Sequence, residues 1–172
     1  MSEKHIAEHI DPYRYAEQGI VLDGVVNIVE MERLKTTVSS TQDKVAVKLQ
    51  FGVDEQGIPF LKGHLETKLS LQCQRCMDPL IYEIMSDFVL GIVNTLDEAN
   101  ALPEYYEPVL AQDGSLALWE LIEDEIILNL PIIPRHDPET CKVKLPYVDS
   151  GWEDVRGKNP FHVLASLKDK HK

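Results

Sequence analysis

An α+β fold is what this 172-residue sequence predicts: a mostly antiparallel β-sheet, then one amphipathic helix, and a short helix at the C-terminus. Three observations lead there. Val45, Val47, Leu49, Phe51 and Val53 alternate with polar residues, and Leu61, Leu65, Leu69, Leu71 and Cys73 do the same at odd positions of the next stretch. Period-two patterning of this kind marks half-buried strands. After residue 113 the period changes, and Leu118, Leu121, Ile122 and Ile126 recur at helical spacing.

Taken in order, Ile20 to Val29 and Leu34 to Ser40 are expected to be strands because they are rich in Val, Ile and Thr, with Glu30 to Arg33 blurring their junction. Asp54-Glu55-Gln56-Gly57 is turn chemistry and joins the two alternating strands as an antiparallel hairpin. Leu80 to Val93 continues the sheet. Asp78-Pro79 suits a turn, so Cys73 and Cys76 are expected to flank a tight connection between strands. Asp113-Gly114-Ser115 offers capping oxygens for the helix that follows, and Pro131 and Pro134 end it. The chain is then turn-rich to Pro146 and without periodicity to Gly157. Asn159-Pro160 forms a cap and first turn for a final helix carrying Phe161, Leu164 and Leu167. These elements divide into a single α+β domain over 1–146 and, over 147–172, a linker and a basic amphipathic helix.

Composition bounds the class. Hydrophobic residues are 44% and charged residues 27%, values of a folding chain rather than a disordered one. No uncharged run is long enough to cross a bilayer, and the first residues open no apolar signal segment, so a cytoplasmic, unanchored protein is expected. The net charge of −12 is local. From Met77 to Pro134 there is no Lys or Arg and there are twelve carboxylates; the remainder balances. Such a field repels phosphate backbones and attracts cationic surfaces.

Cys73-Gln74-Arg75-Cys76 at a hairpin turn can point two thiolates to one side and share a tetrahedral metal. His136 and Cys141, in the turn-rich stretch after the helix, could complete a Cys3His zinc site. The other readings are a turn that happens to contain thiols, and a redox pair, which normally opens a helix rather than a hairpin. Glu120, Glu123, Asp124 and Glu125 read as a solvated helix face rather than an acid/base cluster, and His64 as exposed on the polar side of its strand. Glu120, Glu123 and Asp124 are the candidate partner-binding carboxylates. Their charge reversal is expected to weaken binding and leave folding intact. Phe161, Leu164, Leu167 and Lys168 are the candidate docking residues of the last helix, which either packs back on the core or engages a partner groove. No Gly-rich phosphate loop, His-Glu-x-x-His or Gly-x-Ser-x-Gly elbow occurs, so no enzyme class is indicated.

Several motifs in this order resemble the YceD family of bacterial large ribosomal RNA subunit accumulation proteins. They are Leu71-Gln72-Cys73-Gln74-Arg75-Cys76, Leu102-Pro103-Glu104 with Tyr106-Glu107-Pro108, Glu123-Asp124-Glu125-Ile126-Ile127-Leu128 with Leu130-Pro131, Pro134 with His136-Asp137 and Cys141, and Asn159-Pro160-Phe161 with Val163 to Lys168. The resemblance runs nearly end to end and is nearest to the form of Gram-negative bacteria. It implies a non-enzymatic role in the synthesis, processing or stability of large-subunit ribosomal RNA. Acidity adds an expected partner, a basic ribosome-assembly or ribosomal-RNA-associated protein. The alternative is direct contact with ribosomal RNA through the Cys-x-x-Cys hairpin and the basic tail.

Overall fold

The computed structural model describes residues 5–40 and 42–143. The chain divides into two units between His136 and Asp137. The C-terminal helix predicted from Asn159, with Phe161, Leu164, Leu167 and Lys168, lies outside the described residues, as does the predicted linker.

The first unit is organised on a five-stranded sheet in the order β2-β3-β4-β5-β6. The strands β2 (Val21–Asn27), β3 (Lys44–Val53), β4 (Pro59–Gln72) and β5 (Pro79–Val93) are antiparallel neighbours. Their inward residues make the core, with Val45, Leu49, Leu61, Leu65 and Leu69 fully buried, whereas Val53, at the end of the predicted alternation, is exposed. The β3–β4 turn forms as its chemistry dictates. Asp54 Oδ1 accepts from the N–H groups of Gln56 (2.9 Å) and Ile58 (2.8 Å), and Gly57 takes φ +83°. Gly63 faces Phe88 across the β4–β5 pair, and a Cβ there would collide with the Phe88 ring. On the opposite face of the sheet Ile81 and Met85 of β5 are exposed, with Glu83 paired to Lys68 (2.6 Å) and Asp87 to His64 (2.8 Å).

Other elements were not signalled by periodicity. The short helix α1 (Pro12–Glu17) is capped by Asp11, which accepts from Arg14 N (3.0 Å), with Pro12 in its first turn. Helix α2 (Leu96–Ala101) is capped by Thr95. Strand β6 (Glu107–Leu110) joins the sheet parallel to β5, but only beside Leu90 to Val93. Strands β1 (His9–Ile10) and β7 (Leu116–Ala117) form a separate pair.

Two expectations are corrected. Leu34 to Ser40 is not a strand: Ile28–Glu30 and Leu34–Thr36 are 3-10 turns, and fully buried Leu34 anchors the second. A strand would hand its N–H groups to a neighbouring strand, but here those of Arg33 and Leu34 go to a glutamate of the helix described next. That helix, α3 (Leu118–Asn129), is amphipathic as predicted, with Leu118, Ile122 and Ile126 fully buried. Its expected cap is absent. Asp113 (φ 51°) and Gly114 (φ 76°) form a left-handed turn instead, while Leu118 N donates to the Glu8 carbonyl (2.8 Å). Among the described residues no helix is long and apolar enough to cross a membrane.

Candidate metal centre and acidic face

Between the end of β4 and the start of β5 the chain reverses in six residues, beginning at Cys73. Cys73 N donates to the Asp78 carbonyl (3.0 Å), Met77 N donates to the Cys73 carbonyl (2.8 Å), and Met77 takes the left-handed φ of 62° that closes the turn. The segment leaving α3 docks on this turn. Gln74 N donates to the Pro134 carbonyl (2.8 Å), and the Arg75 guanidinium donates to the His136 carbonyl (2.7 Å). His136 N then meets Cys73 Sγ at 3.4 Å, and His136 Nδ1 stands 3.3 Å from Cys76 Sγ. The ligand atoms of Cys73, Cys76 and His136 lie within 4.8 Å of one another.

The polar surroundings suit metal ligation. His136 Nε2 is 3.1 Å from the Pro79 carbonyl, which only an N–H can satisfy, so Nδ1 carries the lone pair that faces Cys76. Burial pushes the Cys73 thiol up, but the backbone N–H groups of His136, Cys76 and Arg75, followed by the Cys76 side chain, outweigh it and lower its pKa to about 5. Zinc–sulfur and zinc–nitrogen bonds of ~2.3 and ~2.0 Å at a tetrahedral angle separate sulfur from nitrogen by about 3.5 Å, close to the Cys76–His136 distance. The donor set therefore fits a metal of the zinc type. Cys141 belongs to the second unit, where the Asp137 carbonyl accepts from the N–H groups of Thr140 (3.1 Å) and Cys141 (3.0 Å) in one tight turn.

The three candidate carboxylates of α3 are not equivalent. Asp124 and Glu120 are both exposed, and Asp124 pairs with Arg33 (2.6 Å). Glu123, expected on a solvated face, is buried. Its Oε1 accepts from Arg33 N (2.7 Å) and Leu34 N (2.8 Å), and its Oε2 from Arg33 Nε (3.1 Å). Two clefts share Glu120, Asp124 and Ala117: one of about 500 Å³ that also contains Asp113 and His9, and one of about 400 Å³ that also contains Glu8, Glu30 and Glu32. Glu125 is buried as well, and burial, then Glu107 and Asp124, hold its carboxyl above the usual range. His64 is partly exposed, bridging Glu66 (3.0 Å) and Asp87 (2.8 Å), which raise its pKa. Sequence reasoning missed the orienting carbonyl of Pro79 and the Arg75 tether, both backbone partnerships with no residue-type signal. Arg33, which pairs with Glu123 and Asp124, gave no signal before the 3-10 turn was known.

Comparison with known proteins matches residues 61–168 to a family model described as large ribosomal RNA subunit accumulation protein YceD. A protein of Haemophilus influenzae with the same description is 34% identical over 165 residues, covering 94% of this chain and 95% of the relative. No solved structure matches.

Proposed function

The chain belongs to the YceD family, and from that premise we propose that it supports large-subunit ribosomal RNA accumulation as a non-catalytic assembly factor that holds a basic protein. The observation that carries this reading is the pair of clefts meeting at Glu120 and Asp124, lined by carboxylates from the N-terminal segment, the first 3-10 turn and α3. Arg33 is their cation among the lining residues, and Glu123 and Asp124 already engage it. A cationic side chain entering there gains attraction that a phosphate backbone would forfeit. Affinity capture with the Glu120→Lys, Asp124→Lys double variant tests it: basic ribosome-assembly proteins are lost while folding is kept, and unchanged capture refutes it. Direct contact with RNA through the hairpin has less support, because the Arg75 guanidinium is tied to the His136 carbonyl.

The same reading includes a structural zinc ion held by Cys73, Cys76 and His136, with Cys141 as fourth ligand from five residues downstream of His136. A closed site of this kind supplies cross-linking rather than an open coordination position for catalysis. Metal analysis of the purified chain is expected to give one equivalent of zinc, lost in Cys76→Ser; equal metal in both would remove the site.

A further inference from the structure

We infer that the outer edge of β5, from Leu80 to Val89, is a β-strand addition site for an extended, lysine- or arginine-bearing segment of a partner protein. The inference rests on the proposed basic partner and names a second surface that grips it.

β5 has β4 along one side from Pro79 to Gly91, whereas β6 covers the other side only from Leu90 to Val93. Among the described residues no strand pairs with the stretch below Leu90. Edges of this length are usually blunted by lysine, proline or a bulge. This one carries none of these between Leu80 and Val89, and on one face it presents Ile81 (62% exposed), Met85 (70%) and Val89 (37%), with Glu83 and Asp87 between them engaged by Lys68 and His64. An added strand would continue the backbone ladder and lay every second side chain along that apolar row.

The second observation specifies charge. Glu125 is nine-tenths buried as a residue, but its carboxylate oxygens keep some access to solvent, and among the described residues they have no hydrogen-bond or ion-pair partner. One helical turn later, Asn129 Nδ2 donates to the Glu125 carbonyl (2.8 Å) and to Ser86 Oγ of β5 (3.1 Å). Residues four apart share a helix face, so Glu125 stands on the side of α3 that approaches β5. Glu107, whose charge acts on Glu125, is the first residue of β6 and lies opposite Leu90. The unpartnered carboxylate is therefore placed where cover by β6 stops and the free edge begins. The carboxylate is open on that side, and a lysine or arginine on the core-facing side of an added strand would pair with it. A second copy of this chain would instead bring Glu83 and Asp87 against their own kind.

The test uses the full chain and a short synthetic peptide in which valine alternates with lysine, followed by amide hydrogen exchange. Slowed exchange over Leu80 to Val89 is expected. Methylating alternate peptide nitrogens, which removes ladder donors, should weaken binding at least about tenfold, and replacing lysine by norleucine should do the same. The isosteric Glu125→Gln variant should bind the lysine and norleucine peptides equally. The inference is overturned by no binding, by N-methylated peptide binding as well as its parent, by protection confined to the Glu120 and Asp124 clefts, or by self-association of the free chain through β5. Capture of basic cellular proteins alongside an unprotected β5 would remove the edge and leave the cleft reading standing.

Discussion

Replacing Glu123 by alanine should destabilise the first unit strongly, although it is one of four acidic residues within six positions of α3. Its carboxylate ends the N–H groups of Arg33 and Leu34 at 2.7 and 2.8 Å, and Leu34 is fully buried. Alanine leaves both donors without an acceptor. Each unsatisfied buried group costs about 1–3 kcal/mol. The Arg33 side chain adds little, because it is 54% exposed and retains Asp124. The sum is about 2–6 kcal/mol, which for a domain of this size is a fall of roughly 7–20 °C in Tm. Glu123→Gln keeps a carbonyl oxygen for both donors and should lose only about 1–2 kcal/mol. Glu120→Lys or Asp124→Lys should each stay within about 1 kcal/mol of wild type. Thermal and urea unfolding read these directly. A Glu123→Ala protein within about 0.5 kcal/mol of wild type would refute the assignment of Glu123 as the acceptor that holds the 3-10 turn. Because Glu123 holds that turn, charge reversal at all three positions would confound binding with folding, so Glu120 and Asp124 alone report on the partner.

Glu125→Gln should raise stability at neutral pH. The folded state holds the carboxyl above its unfolded pKa, so the native state binds the proton more tightly and wild-type stability falls as pH rises through the raised value; the variant should lack that fall in urea midpoints taken across the acidic range. In the metal-free chain the Cys73 thiolate should persist to about pH 5, read as ultraviolet thiolate absorbance against a Cys73→Ser control. Because that pKa is depressed below the unfolded value, its contribution to stability is present above the unfolded thiol pKa and is lost as pH falls through about 5. Gly63→Ala should cost about 1–3 kcal/mol by forcing the Phe88 ring aside, and Phe88→Leu in the same chain should recover part of that loss in unfolding experiments.

The strands β3, β4 and most of β5 were legible because one face of each is buried and the other solvated, which writes the period directly into the sequence. Gly63 interrupts that pattern, and only the pairing with Phe88 explains it. Leu34 to Ser40 misled because valine and threonine favour strands, while the outcome was decided by a carboxylate ninety residues away. Strand β6 is four residues long and gains its place from tertiary pairing, so nothing local announced it. At the candidate metal centre the donor residue types and their spacing could be read in advance. The meeting of His136 with the cysteine turn could not, since it depends on one backbone–backbone hydrogen bond and two between a side chain and the backbone, across sixty or more positions.

The separation of sixty positions between Cys76 and His136 gives the site a schedule as well as a shape. At about 5–20 residues per second of synthesis, the cysteine turn and the hairpin strands before it exist for about 3–12 s before His136 is made. During that interval the two thiols of the turn are without the imidazole that meets them in the folded chain. Arrival of His136 draws the end of α3 back to the turn and closes the circuit of β5, α2, β6, β7 and α3 in one step. Residues made sixty positions later thus hold the cysteine turn in place, and a ribosome that stalls within that stretch would carry the turn without its His136 partner.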